Sequence, residues 1–548
     1  MTAGSPDNLR PRPNGPVPPP GGTAFASFTL FAALAALVAL VYAGSEWWYT
    51  DGVFGFPTDA AWVRATFARS IATGHGLSYN SGVPVGGAAA PSWLLVLGML
   101  FALSGDFVLT AKVLGVAAVI LAAFLAWAVT LRLLEDWRFA FLAGLLVAVS
   151  PVLSAQSLGG TEGPLAAMLV MAVLYWQGLG WDGNRRQRVT GAVALGLAAL
   201  ARPELILLLP LALLDRFLVI GARARSESGI PVALARSFAE VIGAGLIALP
   251  YVLYNVHAGG PLWQRMELAL RAPAPLAWTK EVLTILWGNN SVLLIAAGLG
   301  LVVAALAAAR RRTEHPTFLP ALAPLALLLL PGFLWRGASV ANARHAAAYL
   351  TPIVCLLGAA GLFLIYRAAK VVLQPAENLA RYLLFATGLI IVIATLFGLL
   401  GIQQAEAWEQ HGVLVKRVNS LGISAGKWAS QHLPPDASIA SREVGAIGFF
   451  GHRRVVDLGG TISAEGLSYL RRPGSPDANL LDYLGKAQPS HLAIRPGDFP
   501  DLARRADLLA PAVTCGDTNR ETGGVTTLVL YETPWPPPSI RELTGKGH

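Results

Sequence analysis

The chain has 548 residues, of which 54% are hydrophobic and only 13% charged, with a mean hydropathy of +0.55. A soluble chain of this length needs far more charge to cover its surface, so a single large water-soluble core is excluded. The net charge of +9 does not indicate nucleic-acid binding, because Arg and Lys gather in short loops between apolar runs, as membrane topology requires.

Residues 1–22 are rich in Pro and Gly and carry Arg10 and Arg12, which predicts a disordered cytoplasmic tail. The apolar run Ala24–Ala43 is long for the core of a signal peptide. It reads as an uncleaved first span, over 24–45, rather than a cleaved leader. Trp47, Trp48 and Tyr49 then form an interfacial aromatic cluster. The first extracytoplasmic loop covers 46–107 and holds one apolar stretch, Pro91–Leu103, short for a span.

Charge decides the path from there. With 91–103 taken as a juxtamembrane helix, ten further spans follow at 108–131, 139–156, 163–180, 189–201, 203–220, 238–256, 290–308, 317–334, 346–366 and 382–402. The strongly basic loops then share one face: Arg132 and Arg138, Arg185 to Arg188, Arg223 to Arg236, Arg310 to Arg312, and Arg367 with Lys370. Letting 91–103 cross would turn every one of them outward. The expected fold is an all-α polytopic membrane protein of about eleven transmembrane helices over 23–402, with a small extracytoplasmic α/β domain over 403–548. In that domain 422–433 reads as a helix, and 437–440, 454–458, 491–494 and 526–531 read as strands. The two cysteines, Cys355 in a span and Cys515 in the C-terminal domain, give no disulfide framework.

The residues able to carry chemistry fall on the face opposite the basic loops. The first loop offers Asp59, Arg64, Arg69, His75, Tyr79 and Asn80. Later loops offer Glu162, then Arg202 and Glu204, then Arg265, Glu267, Arg271, Lys280 and Glu281, and finally Arg336, Arg344 and His345. Carboxylates with arginines at a membrane boundary suit an enzyme that takes a proton from one substrate and holds the phosphate of another. Each residue also has a plain structural alternative. Asp59 can cap a helix, Glu162 can favour a helix N-terminus, Arg202 and Glu204 can pair within their turn, Arg344 and His345 can anchor at the interface, and His75 can belong to a turn. No zinc-ligand spacing, P-loop or nucleophile elbow is present.

Several motifs together resemble the GT-C glycosyltransferases, in the bacterial branch that includes mycobacterial arabinofuranosyltransferases and the RgtA/B/C/D-like proteins. They are Asp59-Ala60-Ala61-Trp62, Phe67-Ala68-Arg69, Gly74-His75-Gly76-Leu77-Ser78-Tyr79-Asn80, Ala90-Pro91-Ser92-Trp93-Leu94, Gly159-Gly160-Thr161-Glu162-Gly163-Pro164-Leu165, Ala201-Arg202-Pro203-Glu204, Arg344-His345 through Pro352, and Val444–Leu458. Each is weak alone; the ordered set, spanning most of 46–465, is more specific. One position departs. The branch commonly carries two adjacent acids where this chain has Asp59 and Ala60.

The resemblance implies a bacterial inner-membrane enzyme, and the charge pattern places its N-terminus in the cytoplasm. It implies transfer of a sugar, with inversion, from a polyprenyl-phosphate donor to an extracytoplasmic glycan, lipid or protein. Asp59 is then the expected base, Glu162 an acceptor- or arginine-orienting acid, and Arg202, Arg344 and His345 the donor-phosphate ligands. Arg64, His75, Tyr79, Glu204 and Lys280 are expected to shape the pocket. The superfamily admits a divalent cation, but Ala60 argues against a tight metal site here. Ala60 also leaves room for a non-catalytic relative that binds polyprenyl lipid or glycan as a scaffold. A transporter is disfavoured, since the polar residues sit at one face rather than at the bilayer midplane.

Overall fold

The computed structural model describes residues 22–178, 185–223, 230–264, 275–309, 317–335, 340–374, 378–518 and 524–535. Most of residues 1–22, together with Arg265, Glu267, Arg271 and Arg336, lie outside the described residues.

Six described helices are long and apolar enough to cross a bilayer: Thr23–Thr50, Phe107–Leu134, Ser237–His257, Leu276–Ala308, Asn342–Leu373 and Leu379–His432. A seventh crossing is a bent pair, Trp137–Ala148 and Pro151–Ser157, broken by 46°. Pro151 causes the break. It forces Ser150 out of the helical region, to ψ 125°, and contributes no N–H. Gly163–Gln177 and Leu319–Leu334 are shorter apolar helices, and the run predicted over 203–220 divides into a 3-10 turn, Pro203–Leu207, and the helix Leu208–Arg223. The chain is a multi-pass membrane protein, though these helices do not fix the count at eleven. Pro91–Ser104 is a helix of 14 residues that opens on a proline and closes on Gly105 at φ 72°.

Two helices run past their expected ends. Pro275–Ala309 extends well before residue 290 and kinks there: Asn290 leaves the helical region and its side chain bridges Leu293 N–H and the Leu396 carbonyl. Leu379–Val418 passes residue 402 without a break and carries the chain directly into the C-terminal domain.

That domain is a five-stranded sheet flanked by helices. Its strands are β1 (Ser438–Ser441), β2 (Arg454–Asp457), β3 (His491–Ile494), β4 (Ala510–Thr518) and β5 (Val525–Glu532), in spatial order β2-β1-β3-β5-β4. β2, β1 and β3 are parallel, whereas β5 and β4 add antiparallel. Strand β4 was not foreseen, because Pro511, Gly516 and Asp517 break its alternation and it is irregular between Pro511 and Val513.

The C-terminal domain seats on the first loop through one contact surface. Helix Val444–Gly451 lies against helix Asp59–Ala72, and Trp62 packs between Phe56, Phe449 and Phe450. Glycine permits the approach. A Cβ on Gly445 would collide with the Asp59 carbonyl oxygen, and one on Gly448 with the Tyr79 hydroxyl. Asn80 adds a clamp, accepting from Val455 N at 2.8 Å and donating to the Val455 carbonyl at 3.0 Å.

Candidate active site

A cleft of about 160 Å³ opens where the two domains meet. Asp59, Ala60, Val63 and Arg64 line it from the first loop, Arg202 and Pro203 from the tight turn, and Asn342 and His345 from helix Val340–Leu373. Arg442, Gly460 and Thr461 close it from the C-terminal domain. It is smaller than the roughly 300–1,000 Å³ of a drug-sized site, so it suits a compact polar head better than a long chain.

Asp59 begins its helix, and its carboxylate reaches across the domain boundary. One oxygen accepts from Gly445 N at 2.7 Å, the other from Ala446 N at 2.8 Å. It thus occupies the positive end of helix Val444–Gly451. Arg69, three turns along the same helix, donates to the Phe449 carbonyl at 2.8 Å near the opposite end and lies over the Phe449 ring. Burial pushes the Asp59 carboxyl up to about 7, outweighing the two amide donors, with the charges of Glu443 and Asp457 adding to the rise.

Behind the cleft is a buried charge network. Glu162 is fully enclosed. It takes Arg64 on both oxygens, at 3.2 and 3.3 Å, and Arg202 at 2.8 Å. Arg202 also grips Glu204 in a fork, at 3.2 and 2.8 Å, and donates to Asn342 at 3.1 Å. Burial alone would raise the Glu162 pKa, but the guanidinium groups of Arg64 and Arg202 hold it well below the usual carboxylate range. Two acids therefore balance two arginines. Four of the five Arg202 N–H donors are committed, whereas Arg64 keeps three in reserve.

The sequence-predicted residues separate accordingly. Asp59, Arg64, Arg202 and His345 meet at the cleft. Glu162 and Glu204 stand behind it, in contact with the arginines. Arg344 does not line the cleft; its side chain is exposed, and its carbonyl accepts from Gln156. Successive residues on a helix point about 100° apart, so His345 can face the cleft while Arg344 faces away. His75 sits exposed at the tip of a turn between two glycines of positive φ, bonded to Thr73. Tyr79 is buried beneath the helix and donates to the Val444 carbonyl, so it supports the domain contact instead of lining the cleft. Lys280 lies elsewhere, on an apolar hollow of helix Pro275–Ala309, whose buried face is Trp278, Val282 and Leu286.

Arg442, Asn342, Gly460 and Thr461 were missed. Arg442 stands only two residues before the Val444 motif, which is the one signal that could have drawn attention to it. Its partner is Asp498, at 3.4 Å and well exposed. Gly460 and Thr461 belong to a loop shaped by Asp457, whose carboxylate accepts from the N–H groups of Gly459, Gly460, Ile462 and Ser463. His345 adds a ring nitrogen, Nδ1, that is enclosed without a hydrogen-bond partner.

A divalent cation does not fit this donor set. Asp59 is the one carboxylate lining the cleft, and both its oxygens already accept amides. Among the described residues no three His, Cys, Asp or Glu side chains cluster as a metal site.

The fold is that of the GT-C glycosyltransferases. The chain is similar to ArnT from Cupriavidus metallidurans in the apo state, at a TM-score of 0.58 and 16% identity over 93% of this chain and 98% of that one. ArnT bound to undecaprenyl phosphate matches at 0.57 and 15% over the same shares. The archaeal oligosaccharyltransferase AglB from Archaeoglobus fulgidus, in complex with an inhibitory peptide and a dolichol-phosphate, matches at 0.59 and 14%, over 93% of this chain and 75% of that one. A family model described as a domain of unknown function, DUF8728, matches residues 407–530. No curated protein matches.

Proposed function

We propose that the chain is a membrane glycosyltransferase, moving a sugar from a polyprenyl-phosphate donor to a hydroxyl-bearing acceptor on the extracytoplasmic side of a bacterial inner membrane, with inversion. The observation that carries this reading is the meeting of Asp59 with Arg64, Arg202, Arg442 and His345 in one cleft at the domain junction. The fold shared with ArnT and AglB, described with undecaprenyl phosphate and dolichol-phosphate respectively, supports the donor class.

In the proposed step an acceptor hydroxyl gives its proton to the Asp59 carboxylate as its oxygen attacks the anomeric carbon. The bond from that carbon to the phosphate oxygen breaks, and the polyprenyl phosphate leaves with the electron pair. Negative charge collects on the phosphate, where Arg64 and Arg442 have N–H donors to offer. Arg202 lines the same wall, but its commitments to Glu162, Glu204 and Asn342 make it chiefly the group that positions Arg64 and Asn342. Glu162, fully enclosed, acts through those arginines and not on the acceptor.

A second reading has two observations in its favour. Asp59 holds both oxygens on the Val444–Gly451 helix, and Ala60 replaces the second acid, which suits a non-catalytic protein that binds lipid or glycan. The deciding experiment is sugar transfer by the purified protein in detergent, with radiolabelled polyprenyl-phosphate sugars and a membrane glycan extract, beside Asp59→Asn. Transfer that collapses in the variant supports the enzyme and its base. Donor binding by both proteins with no transfer from any donor supports the scaffold.

A further inference from the structure

The first half of the long helix Leu379–Val418 stands at the edge of the membrane bundle, with most of its surface exposed. Only 11% of its most apolar 18-residue window is buried, against 78% for the equivalent window of Asn342–Leu373. Between its first half, helix Val340–Leu373 and helix Trp137–Ala148 lies a crevice of about 640 Å³. Its walls are almost wholly apolar, with Phe141, Leu145, Leu362, Leu389, Val392 and Phe397 along its length. Gly388 opens into it, and a Cβ there would meet no atom within 4 Å.

One end of the crevice is polar and basic. Arg138 and Tyr366 line it there, and Arg367 and Lys370 follow on the same helix, both exposed. Among the described residues no carboxylate lies within ion-pair distance of Arg138, Arg367 or Lys370. The acids nearest in sequence are exposed Glu135 and half-buried Asp136, whose carboxylate accepts the Arg138 backbone N–H, while Glu377 lies outside the described residues. Helix Leu379–Val418 starts at this end and finishes in the C-terminal domain, so the basic mouth and the Asp59 cleft lie at opposite ends of the molecule.

We infer that this crevice binds an anionic phospholipid of the cytoplasmic leaflet, its acyl chains between the three helices and its phosphate at Arg138 and Arg367. A long apolar slot excludes sugars and peptides, whose polar groups would lose water without replacement. Cations at its mouth that have no carboxylate partner among the described residues, on the face that the charge pattern assigns to the cytoplasm, select a negative headgroup over a zwitterionic one. The lipid covers apolar surface of this helix that protein leaves exposed. The inference does not depend on the sugar-transfer reading, which concerns the other end of the molecule.

The test is native mass spectrometry of the full-length protein in detergent, titrated with phosphatidylglycerol, cardiolipin and phosphatidylcholine as probes. Anionic lipids are expected to bind more tightly than phosphatidylcholine and to survive higher collision energies. Arg138→Gln should lower the preference for anionic lipid roughly fivefold, the share of one basic residue near a headgroup. Gly388→Phe should fill the slot and weaken binding of every lipid. Equal affinity for all three lipids, or binding unchanged in both variants, would overturn the proposal. Loss of lipid together with the appearance of a dimer would overturn it too, and would assign the crevice to a second copy of the chain.

Discussion

The Asp59 carboxylate accepts the Gly445 N–H at 2.7 Å and the Ala446 N–H at 2.8 Å, so the proposed base is also the anchor of a helix in the other domain. The two roles predict different substitution patterns. Asp59→Asn keeps one oxygen for an amide, turns its NH2 toward the other N–H and cannot take a proton, so it should cost transfer about 10²–10⁴-fold with a modest fall in melting temperature. Asp59→Ala should also lose about 1 kcal/mol of stability, the usual value of a helix cap. Turnover and thermal melts on both variants check this; an active Asp59→Asn protein would remove Asp59 from the mechanism.

The pH dependence follows from the same carboxyl. Its pKa is raised to about 7 in the folded protein, and only the ionised form accepts a proton. Activity should therefore climb as pH rises through about 7 and level off above it. For stability, the raised pKa means that the folded state holds this proton more tightly than the unfolded state. That contribution is fully present below about pH 4 and is lost as pH rises through about 7. A pH series of melts should show this decline in wild type and its removal in Asp59→Asn.

Glycine at the interface is a packing requirement. Gly445→Ala would drive a methyl into the Asp59 backbone oxygen, and Gly448→Ala into the Tyr79 hydroxyl. Neither neighbour is a flexible chain end, so each substitution should cost about 1–3 kcal/mol and loosen the C-terminal domain. Gly485→Ala is the control: it lies in helix Pro476–Ala487 with nothing within 4 Å of a Cβ. It should be neutral or slightly stabilising. Melting temperatures and the rate of proteolysis between the domains give the comparison.

These relationships mark how far the sequence could be read. Apolar run length was enough to mark the chain as a multi-pass membrane protein but not to fix the number or the bounds of its spans, and the Arg202–Glu204 pair was legible because its members share one turn. The residues of the first loop could be named, but not sorted. His75 and Tyr79 stand four apart, yet the flanking glycines turn His75 outward while Tyr79 folds under helix Val444–Gly451. Lys280 has its acidic neighbour and its boundary position, but the opposite helical face packs inward. Arg442 was invisible for a different reason: its place in the cleft depends on the docking of a domain far along the chain, which no local pattern records. The same long-range contact commits Asp59 to Gly445.

The buried network behind the cleft should be brittle. Removing the charge of Glu162 with Glu162→Gln leaves Arg64 and Arg202 enclosed with only Glu204 to balance them. Breaking such a buried pair typically costs about 3–5 kcal/mol, because the abandoned charge stays out of water. The expected outcome is low yield in membranes and a large fall in melting temperature, whatever substrate is present. Arg202→Lys should fare nearly as badly, since an ammonium cannot bridge Glu162, the Glu204 fork and Asn342 together. A Glu162→Gln protein as stable as wild type would show that the network is neutralised by other means.

A second enclosed cluster ties the first helix to the helix that carries the C-terminal domain. Glu46, near the end of Thr23–Thr50, is fully buried between the Lys112 ammonium on Phe107–Leu134 and His411 Nε2, 2.7 Å away, on Leu379–Val418. Lys112 also faces the Phe54 ring at 5.2 Å. Lys112→Met should strand the Glu46 carboxylate beside His411 and destabilise the protein by about 3–5 kcal/mol. Adding Glu46→Gln to Lys112→Met removes the stranded charge, so the double variant should be more stable than the single one, with a coupling of about 1–3 kcal/mol. Thermal melts of the wild type, both single variants and the double variant close the cycle. Additive losses would show that the two charges do not depend on each other, and that the three helices are held together by packing around Tyr42 and Trp408 instead.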